Sequence, residues 1–310
     1  RLLLQTAWRT IEDAAYRASA LKGKNVGCYI AATGNDYAGL QAKNATKQIP
    51  FSLAGYSASI LSNRISNFFD WRGPSFTIDT ACSGTLSALV KACNDLSFNI
   101  CDAAFVGGVN LILDDQINDG LEAGQFLSPN YRCATYDTEA DGYVRGEGLG
   151  GFLVKRLEDA LRDGDHIHGV IESYVENHGG RSNSLTAPNP TAQTDLLLKA
   201  YTPKLASKLS YIETHGTGTR LGDPIEIDAI KRAWGKLVGS NGHNTIWLGA
   251  MKSNTGHLEA AAGVASLAKV LLALKYRRLP ANIYFKELNP LINLDGMWYS
   301  PMFGQKLRFF

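Results

Sequence analysis

Cys82 is the residue with the clearest capacity for covalent chemistry in this sequence of 310 residues. It comes after a β-branched run that ends at Ile78, and a helical pattern follows it directly. Asp79 and Thr80 are residue types that cap helices, so we expect Cys82 in the first turn of a helix. Unpaired backbone N–H groups and the positive end of the helix dipole would stabilise a thiolate there and lower the pKa of the thiol.

The segment after Cys82 predicts an amphipathic helix with Leu86, Leu89 and Val90 on one face. The residues beside the thiol are small, which leaves room for a substrate carbonyl. A buried structural cysteine is the alternative to a nucleophile, and the rest of the chain must decide between the two.

Two histidines share the setting of this cysteine. His215 follows a predicted strand within residues 213–219 (ETHGTGT), and His257 closes residues 252–257 (KSNTGH) ahead of a predicted helix. A single histidine after a strand is more often structural, but two of them among Gly, Thr and Ser point to a shared site. Spacing alone leaves open whether they converge. The other histidines are predicted at the surface (His166, His168 and His243) or in a polar loop, with a channel lining as the alternative (His178).

The elements that must position these residues alternate along the chain. Apolar runs predict strands over residues 26–31, 77–78, 103–113, 152–154, 167–174, 209–213 and 246–249. Besides the helix after Cys82, helical patterns are predicted over residues 2–15, 57–69, 191–201, 223–234 and 258–274. This alternation predicts an α/β fold with a largely parallel sheet and polar sites just after the strands. The second half looks like a variation on the first.

Three glycines, Gly146, Gly148 and Gly151, have the spacing of a dinucleotide-binding loop. We reject that interpretation because these glycines precede a strand, whereas the nucleotide motif follows a strand and opens a helix. A glycine-lined start of a strand accounts for them.

Composition excludes several classes of function. A net charge of +2 favours neither nucleic acid nor an anionic membrane surface as a partner. Five cysteines without a CxxC pair argue against a disulfide framework or a zinc site and for a reducing compartment. No apolar run approaches the ~20 residues of a membrane span, and no signal peptide is found, so we expect a cytoplasmic protein. Because the first residue is Arg1, we expect the chain to be cut from a longer one.

Four segments together resemble the β-ketoacyl synthase (ketosynthase) domain of modular type I polyketide synthases, in the thiolase-like superfamily of condensing enzymes. They are DTACSG at 79–84, ETHGTGT at 213–219, GDPIE at 222–226 and KSNTGHLEAAAG at 252–263. Residues 1–4 (RLLL), 140–148 (ADGYVRGEG) and 279–290 support the resemblance, which covers residues 1–296.

The resemblance implies a thiolase-like α/β fold in which two pseudo-duplicated βαβ halves form a layered αβαβα core. The N-terminal half with the nucleophile would span residues 1–155, and the C-terminal half with both histidines would span residues 156–296. Residues 297–310 form an atypical tail.

The resemblance also implies the chemistry. Cys82 would accept an acyl group from the phosphopantetheine arm of an acyl carrier protein, and a malonyl-type extender would then lose CO2 and attack the thioester. His215 and His257 would donate hydrogen bonds to the thioester oxygen of the extender. The implied substrate-binding residues are Thr217, Thr219, Lys252 and Asn254. No metal and no directly bound cofactor is implied.

The implied partners are an acyl carrier protein, neighbouring synthase domains and a second copy of the chain, with residues 103–113 along the homodimer interface. The family also has an initial strand and a Gly-rich C-terminal segment that supplies a second oxyanion donor. Neither is found here, so we expect truncation at both ends. A non-elongating domain that binds acyl chains and carrier protein, or an inactive fragment, is the alternative function. Decarboxylation alone and a Cys–His hydrolase are further alternatives.

Overall fold

The computed structural model describes residues 1–34, 36–44, 52–182, 184–239, 245–294, 299–301 and 308–309. His243 and most of the predicted tail at 297–310 lie outside the described residues. The chain divides into two units. The first comprises Arg1–Asp119, Gly146–Val170 and Leu258–Leu267, and the second comprises Gly120–Arg145, Ile171–His257 and Ala268–Phe310. The division into halves at residue 155 stays a prediction.

The regular elements alternate as the sequence predicts. The described strands are β1 (Val26–Ala31), β2 (Ser75–Ile78), β3 (Ala103–Asn110), β4 (Gly148–Lys155), β5 (Tyr211–Glu213), β6 (Ile246–Gly249), β7 (Arg278–Leu279), β8 (Tyr299–Pro301) and β9 (Arg308–Phe309). The described helices are α1 (Leu2–Asp13), α2 (Asp36–Asn44), α3 (Ser52–Tyr56), α4 (Ser59–Phe69), α5 (Gly84–Ser97), α6 (Gln116–Ala123), α7 (Leu157–Asp163), α8 (Pro190–Ala200), α9 (Pro203–Ala206), α10 (Gly222–Leu237), α11 (Lys252–Thr255) and α12 (Ala262–Tyr276). Among the described helices, none is long and apolar enough to cross a membrane.

The first unit is built on a four-stranded sheet in the order β2-β1-β3-β4. β1 is parallel to both β2 and β3, and β4 runs antiparallel to β3. Every residue of β1 is buried, as expected for an apolar strand that is covered on both faces. The core beside this sheet includes Leu3 and Ile11 of α1, Ile65 and Phe69 of α4, and Phe105 of β3.

The second unit contains a parallel sheet in the order β5-β6-β8 and an antiparallel pair of β7 and β9. Its core gathers Ile227, Ile230 and Trp234 of α10 against Ile246 and Leu248 of β6. Both units thus combine helices with mainly parallel strands, and the predicted α/β class is confirmed.

The strand predicted over residues 167–174 is wrong. Residues 171–180 have no regular structure, and Val170 and Ile171 are exposed. The run is apolar and β-branched, but a strand also needs a ladder partner, and none of the described ladders includes it.

Two helix predictions need correction, and the glycine prediction holds. The helix expected over residues 258–274 is the 3₁₀ turn Glu259–Ala261 followed by α12. Leu86 is exposed, because the buried face of α5 is lined mainly by small residues such as Ala88 and Ala92, which let the helix pack closely. β4 begins at Gly148, which confirms the glycine-lined start of a strand.

Candidate active site

Cys82 lies in the turn between β2 and α5. Ala81–Ser83 form a 3₁₀ segment and α5 begins only at Gly84, so the prediction of a first α-helical turn was wrong by one short turn. Ala81 has a φ of 50°, in the left-handed region that is unfavourable for a residue with a Cβ. The Asp79 carboxylate accepts the N–H of Ala81 at 3.0 Å and so stabilises this turn.

Side-chain hydroxyl groups tie the turn to its surroundings. The Ser83 hydroxyl donates to the carbonyl of Thr80 at 2.9 Å, and the Thr80 hydroxyl donates to Ser87 at 3.2 Å instead of capping the backbone. Deeper in the first unit, the buried Thr85 hydroxyl donates to the carbonyl of Ala260 at 2.5 Å. The backbone around Cys82 is therefore fixed by its neighbours in sequence and by the start of α5.

Exposure singles out Cys82 among the thiols. All five cysteines lie in the described part of the chain and none of them forms a disulfide, and Cys82 is exposed while the other four are buried. Burial raises the pKa of Cys28 to about 12 and that of Cys93 to about 11, and it also raises the pKa of Cys101 and Cys133. These four thiols stay protonated at neutral pH, so Cys82 is the thiol that can meet a reagent from solution.

The loop that carries His215 begins where β5 ends. One carboxylate of α10, that of Glu226, accepts the backbone N–H groups of both His215 (2.7 Å) and Gly216 (3.0 Å). A second carboxylate, that of Asp223, accepts the N–H groups of Gly218 (3.2 Å) and Tyr136 (2.8 Å). Two acids from the start of one helix thus hold four backbone donors.

Glycine is required in this loop. Gly216 and Gly218 have φ values of 45° and 78°, and a Cβ on Gly218 would lie 2.7 Å from the backbone nitrogen of Ala134. The hydroxyl of Thr135 donates to the carbonyl of Gly216 at 2.7 Å. The Gly-rich sequence after His215 is therefore a packing requirement of residues 133–136.

His257 follows α11 and is buried, with only 2% of its surface exposed. Gly256 turns the chain with a φ of 72°, and the backbone N–H of His257 donates to the carbonyl of Val144 at 2.7 Å. The Tyr143 ring packs against the imidazole with 5.1 Å between ring centroids. The imidazole is therefore fixed within the second unit.

The second unit brings His215 and His257 together. Their ring centroids are 5.4 Å apart and the rings are almost perpendicular, at 83°. His215 keeps an open face to solvent, while protein atoms pack around the rest of its ring. The two predicted histidines therefore form one pair.

Both imidazoles are held neutral. Burial lowers the pKa of His257 to about 3, and the positive charge of Lys252 acts in the same direction. The pKa of His215 lies well below its usual value for the same two reasons, loss of water first and Lys252 second, with His257 as a third cause. Each ring then has one N–H donor and one lone pair at neutral pH, which suits two hydrogen-bond donors aimed at a developing oxyanion.

Comparison with known families identifies the family of this chain. Residues 1–160 match the family model described as beta-ketoacyl synthase, N-terminal domain, and residues 168–286 match the beta-ketoacyl synthase, C-terminal domain. The first match alone covers more than half of the chain. This chain belongs to the β-ketoacyl synthase family.

The curated relatives of this synthase chain include polyketide synthases. Polyketide synthase PksN of Bacillus subtilis (strain 168) is 41% identical over 306 residues, which cover 96% of this chain and 6% of PksN. The non-reducing polyketide synthase mapC of Penicillium brevicompactum is 39% identical over 297 residues, which cover 94% of this chain and 12% of that protein. The chain thus spans a small fraction of the length of these relatives.

Solved ketosynthase structures have the same fold. The ketosynthase from module 6 of the bacillaene synthase of Bacillus subtilis 168 matches with a TM-score of 0.91 and 34% identity, over all of this chain and 53% of that one. The oxazolomycin ketosynthase domain of Streptomyces albus JA3453 matches with a TM-score of 0.88 and 35% identity, over all of this chain and 54% of that one. The thiolase-like fold and the resemblance to polyketide ketosynthases are confirmed.

The residues predicted to bind substrate lie in the same two loops of the synthase as the histidines. Thr217 is buried and Thr219 half-buried, and their hydroxyl groups are 3.2 Å apart. Lys252 is buried, whereas Asn254 is exposed and accepts the Ser253 hydroxyl at 3.1 Å. Their contact with substrate stays a prediction.

Other histidines and metal ligands add nothing to the site. His166, His168 and His178 are exposed, as predicted for the first two, and the Nδ1 atom of His178 accepts the N–H of Gly180 at 2.9 Å. Within the described ranges, no three His, Cys, Asp or Glu side chains are arranged to hold a metal ion.

Sequence reasoning missed the acids that build the site. Asp223 and Glu226 belong to the quoted segment GDPIE, but no role was assigned to them. A signal was present, because acids three residues apart near the start of a helix, just after a Gly-rich loop, are placed to accept backbone N–H groups. Tyr136 and Tyr143 gave no comparable signal.

Proposed function

We propose that this β-ketoacyl synthase chain catalyses decarboxylative condensation in polyketide biosynthesis. Cys82 loses its thiol proton and the thiolate attacks the carbonyl of an acyl thioester on phosphopantetheine; the C–S bond of that thioester breaks, and the pantetheine sulfur leaves as a thiol with the proton that Cys82 gave up. Thioester exchange conserves the bond type, so the acyl group stays activated on Cys82. The exposed thiol on its constrained turn supports this step.

The histidine pair acts on the extender. A malonyl thioester loses CO2, and the electron pair of the broken C–C bond forms an enolate whose oxygen accepts the N–H groups of His215 and His257. The enolate carbon then attacks the acyl carbonyl, forms the new C–C bond and releases the Cys82 thiolate. The observation that carries this proposal is the contact of two imidazoles that are both held neutral, because imidazolium ions would bind the ground-state carboxylate instead.

The experiment supplies a purified chain with an acyl thioester and a malonyl thioester of a carrier protein and detects the β-ketoacyl product by mass. The proposal predicts one CO2 released for each product molecule. Release of free acid from the acyl thioester without product would instead indicate a hydrolase. A non-elongating domain, which would bind the acyl chain and release no CO2, is not favoured because the thiol and both histidines are in place.

The carrier protein and the adjoining domains of a polyketide synthase are the partners that this function requires. The relatives are synthases many times longer than this chain, which supports the proposal. Binding of the chain to an acyl carrier protein, measured by calorimetry with and without its phosphopantetheine arm, tests it. If the chain bound neither form of the carrier protein detectably, the proposal would be contradicted.

A homodimer interface is proposed at β2. The expected interface at residues 103–113 includes β3, which is hydrogen-bonded to β1 on one side and β4 on the other and so has no free edge. β2 pairs with β1 alone among the described strands. An edge strand with unpaired N–H and C=O groups is a ready template for pairing with a second copy.

The proposed dimer predicts which residues matter. The carbonyls of Pro74 and Ile78 accept hydrogen bonds from β1. Because successive residues of a strand point their carbonyls to opposite sides, those of Ser75 and Thr77 point to the free edge. Ser75→Pro removes one outward N–H and is expected to shift the chain toward monomer in light scattering, whereas Ser75→Ala is not. A native chain that is already monomeric at high concentration would contradict the proposal.

A further inference from the structure

Glu213, the last residue of β5, has a carboxylate with three partners. Its Oε1 atom accepts the backbone N–H of Met251 at 2.5 Å, and its Oε2 atom lies 2.8 Å from Nζ of Lys269 in α12. The Tyr211 hydroxyl donates to the same Oε2 atom. Only 7% of the Glu213 side chain is exposed, so this carboxylate belongs to the interior of the second unit.

Protein groups pack closely around the Glu213 carboxylate. The side chain of Lys269 is 5% exposed and lies over the Tyr211 ring, 5.5 Å from its centroid. Gly249 lies beside these groups, and a Cβ there would lie 2.4 Å from the Tyr211 hydroxyl and 3.1 Å from Nζ of Lys269. Burying an ion pair costs the hydration of both ions, and apolar residues of the same size often stabilise a fold as well. What apolar residues cannot supply is the acceptor for the N–H of Met251.

We infer that Glu213 is a positioning residue for the histidine pair, because its carboxylate joins the starts of both histidine loops. His215 follows it by two residues, and Met251 opens the segment that runs through Lys252 to His257. The β5–β6 ladder brings these loops side by side only as far as Thr214 and Gly249. The Glu213 contact extends that alignment into the second loop. The inference rests on the proposed function, in which the pair stabilises an enolate.

Lys252 is the route by which this contact reaches the imidazoles. It follows Met251 directly, and its positive charge is the second cause, after burial, of the lowered pKa of both His215 and His257. Polar groups beside the pair in the described residues include the Glu226 carboxylate under the His215 loop and Tyr143, whose ring lies beside His257. A displaced Met251 would carry Lys252 away, and the histidine pKa values would rise toward the ordinary value.

Two double variants separate positioning from stability. Glu213→Gln with Lys269→Met and Glu213→Leu with Lys269→Met both remove the two charges together, so neither leaves an unpaired buried ion. Only the glutamine variant keeps an oxygen that can accept the N–H of Met251. The readouts are the titration of both imidazoles by NMR and the rate of malonyl-thioester decarboxylation.

The leucine variant is expected to decarboxylate the malonyl thioester on the order of 100-fold more slowly, because small misplacements of reacting groups have costs of this size. It is also expected to show raised pKa values for both histidines. The glutamine variant is expected to stay close to the native chain in both readouts. Equal behaviour of the two variants, whether both are impaired or both are native-like, would overturn the inference. A native chain that does not decarboxylate would contradict the proposed function, while the imidazole titrations would still test the positioning.

A third variant keeps the test decisive if the leucine chain misfolds. Met251→Pro removes the N–H itself and leaves the ion pair intact, and the φ of −62° at this position suits proline. It is expected to raise the histidine pKa values in the same direction. Unchanged titrations in a folded Met251→Pro chain would overturn the inference.

The first unit offers a matched control. There Asp95 combines the same groups, since it accepts the Tyr29 hydroxyl at 2.6 Å and lies 2.5 Å from Nζ of Lys91. Asp95→Asn with Lys91→Met is expected to leave the imidazole titrations unchanged. An equal rise of the histidine pKa values in this control would show a general effect of removing charge and would contradict a specific role of Glu213.

Discussion

The Cys82 turn and the histidine pair are held in place by different means. The direct hydrogen bonds of the Cys82 turn come from groups within a few residues of the thiol, such as the Asp79 carboxylate and the Ser83 hydroxyl, and the Thr33 hydroxyl donates in turn to Asp79. The histidine loops depend on buried carboxylates distant in sequence, since Glu226 lies 11 positions after His215 and Met251 lies 38 positions after Glu213.

The difference fits the two proposed tasks. A nucleophile that exchanges acyl groups has to be reached from solution, and a short constrained turn presents it without enclosing it. Two imidazoles that stabilise an oxyanion have to stay neutral and fixed, which requires removal of water and a buried scaffold of charges. The comparison predicts that Cys82 variants change chemistry without changing stability, whereas variants around the histidines change both.

The largest expected effect is that of Cys82→Ala. Because this thiol is the proposed nucleophile, the variant should form no acyl adduct by intact-protein mass spectrometry. Because Cys82 is exposed, the free energy of unfolding should change by less than ~0.5 kcal/mol. Cys93→Ala is the control. Removal of this buried thiol should lower the free energy of unfolding, while the acyl adduct on Cys82 should still form. An adduct on the Cys82→Ala chain would mean that another residue is the nucleophile.

His257→Gln is expected to act on the other half of the reaction. Loss of one preorganised donor to an oxyanion typically lowers the rate on the order of 100- to 1000-fold, so decarboxylation should fall by that factor. Acylation of Cys82 should persist. His178→Gln, at an exposed histidine, should behave like the native chain. Equal loss of acylation and decarboxylation in His257→Gln would contradict the proposal that Cys82 carries the acylation and the histidine pair carries the decarboxylation.

The smallest expected effect is a change in how stability depends on pH. Burial raises the pKa of Asp223 to about 7, well above the ordinary value of 3.8, so the folded chain binds a proton more tightly than the unfolded chain. The contribution of this carboxyl is therefore most favourable below pH 3.8 and is lost as the pH rises toward 7. Asp223→Asn should flatten this slope in urea unfolding at a series of pH values. If the free energy of unfolding of Asp223→Asn depended on pH as steeply as that of the native chain, the assignment of this effect to Asp223 would be contradicted.

Asp137 is the matched comparison for this prediction. Burial alone would raise the pKa of its carboxyl, but three backbone N–H donors, of Glu139, Lys286 and Glu287, leave it lowered. Its contribution is therefore present above its unfolded pKa and lost as the pH falls through the folded value, opposite in sign to that of Asp223. Asp137→Asn should accordingly cost most stability at neutral pH.

The structural features that can be predicted from the sequence are those set by local chemistry. The apolar run of β1 and the strand-to-helix turn at Cys82 each depend on residues next to one another. The failures have non-local causes. Residues 167–174 have β-branched side chains but no ladder partner among the described strands, and the acceptors for His215 and Met251 come from side chains elsewhere in the fold. Resemblance to a family supplied the expected role of each histidine, while their contact and their neutrality required the structure.

The most direct test of condensation follows the fate of one acyl adduct. The native chain and His257→Gln are loaded on Cys82 with a simple acyl thioester, and the intact mass is recorded before and after a malonyl thioester is added. The account predicts that the adduct disappears from the native chain as CO2 is released and persists on His257→Gln. An adduct that persists on the native chain, or that disappears without the malonyl thioester, would contradict decarboxylative condensation.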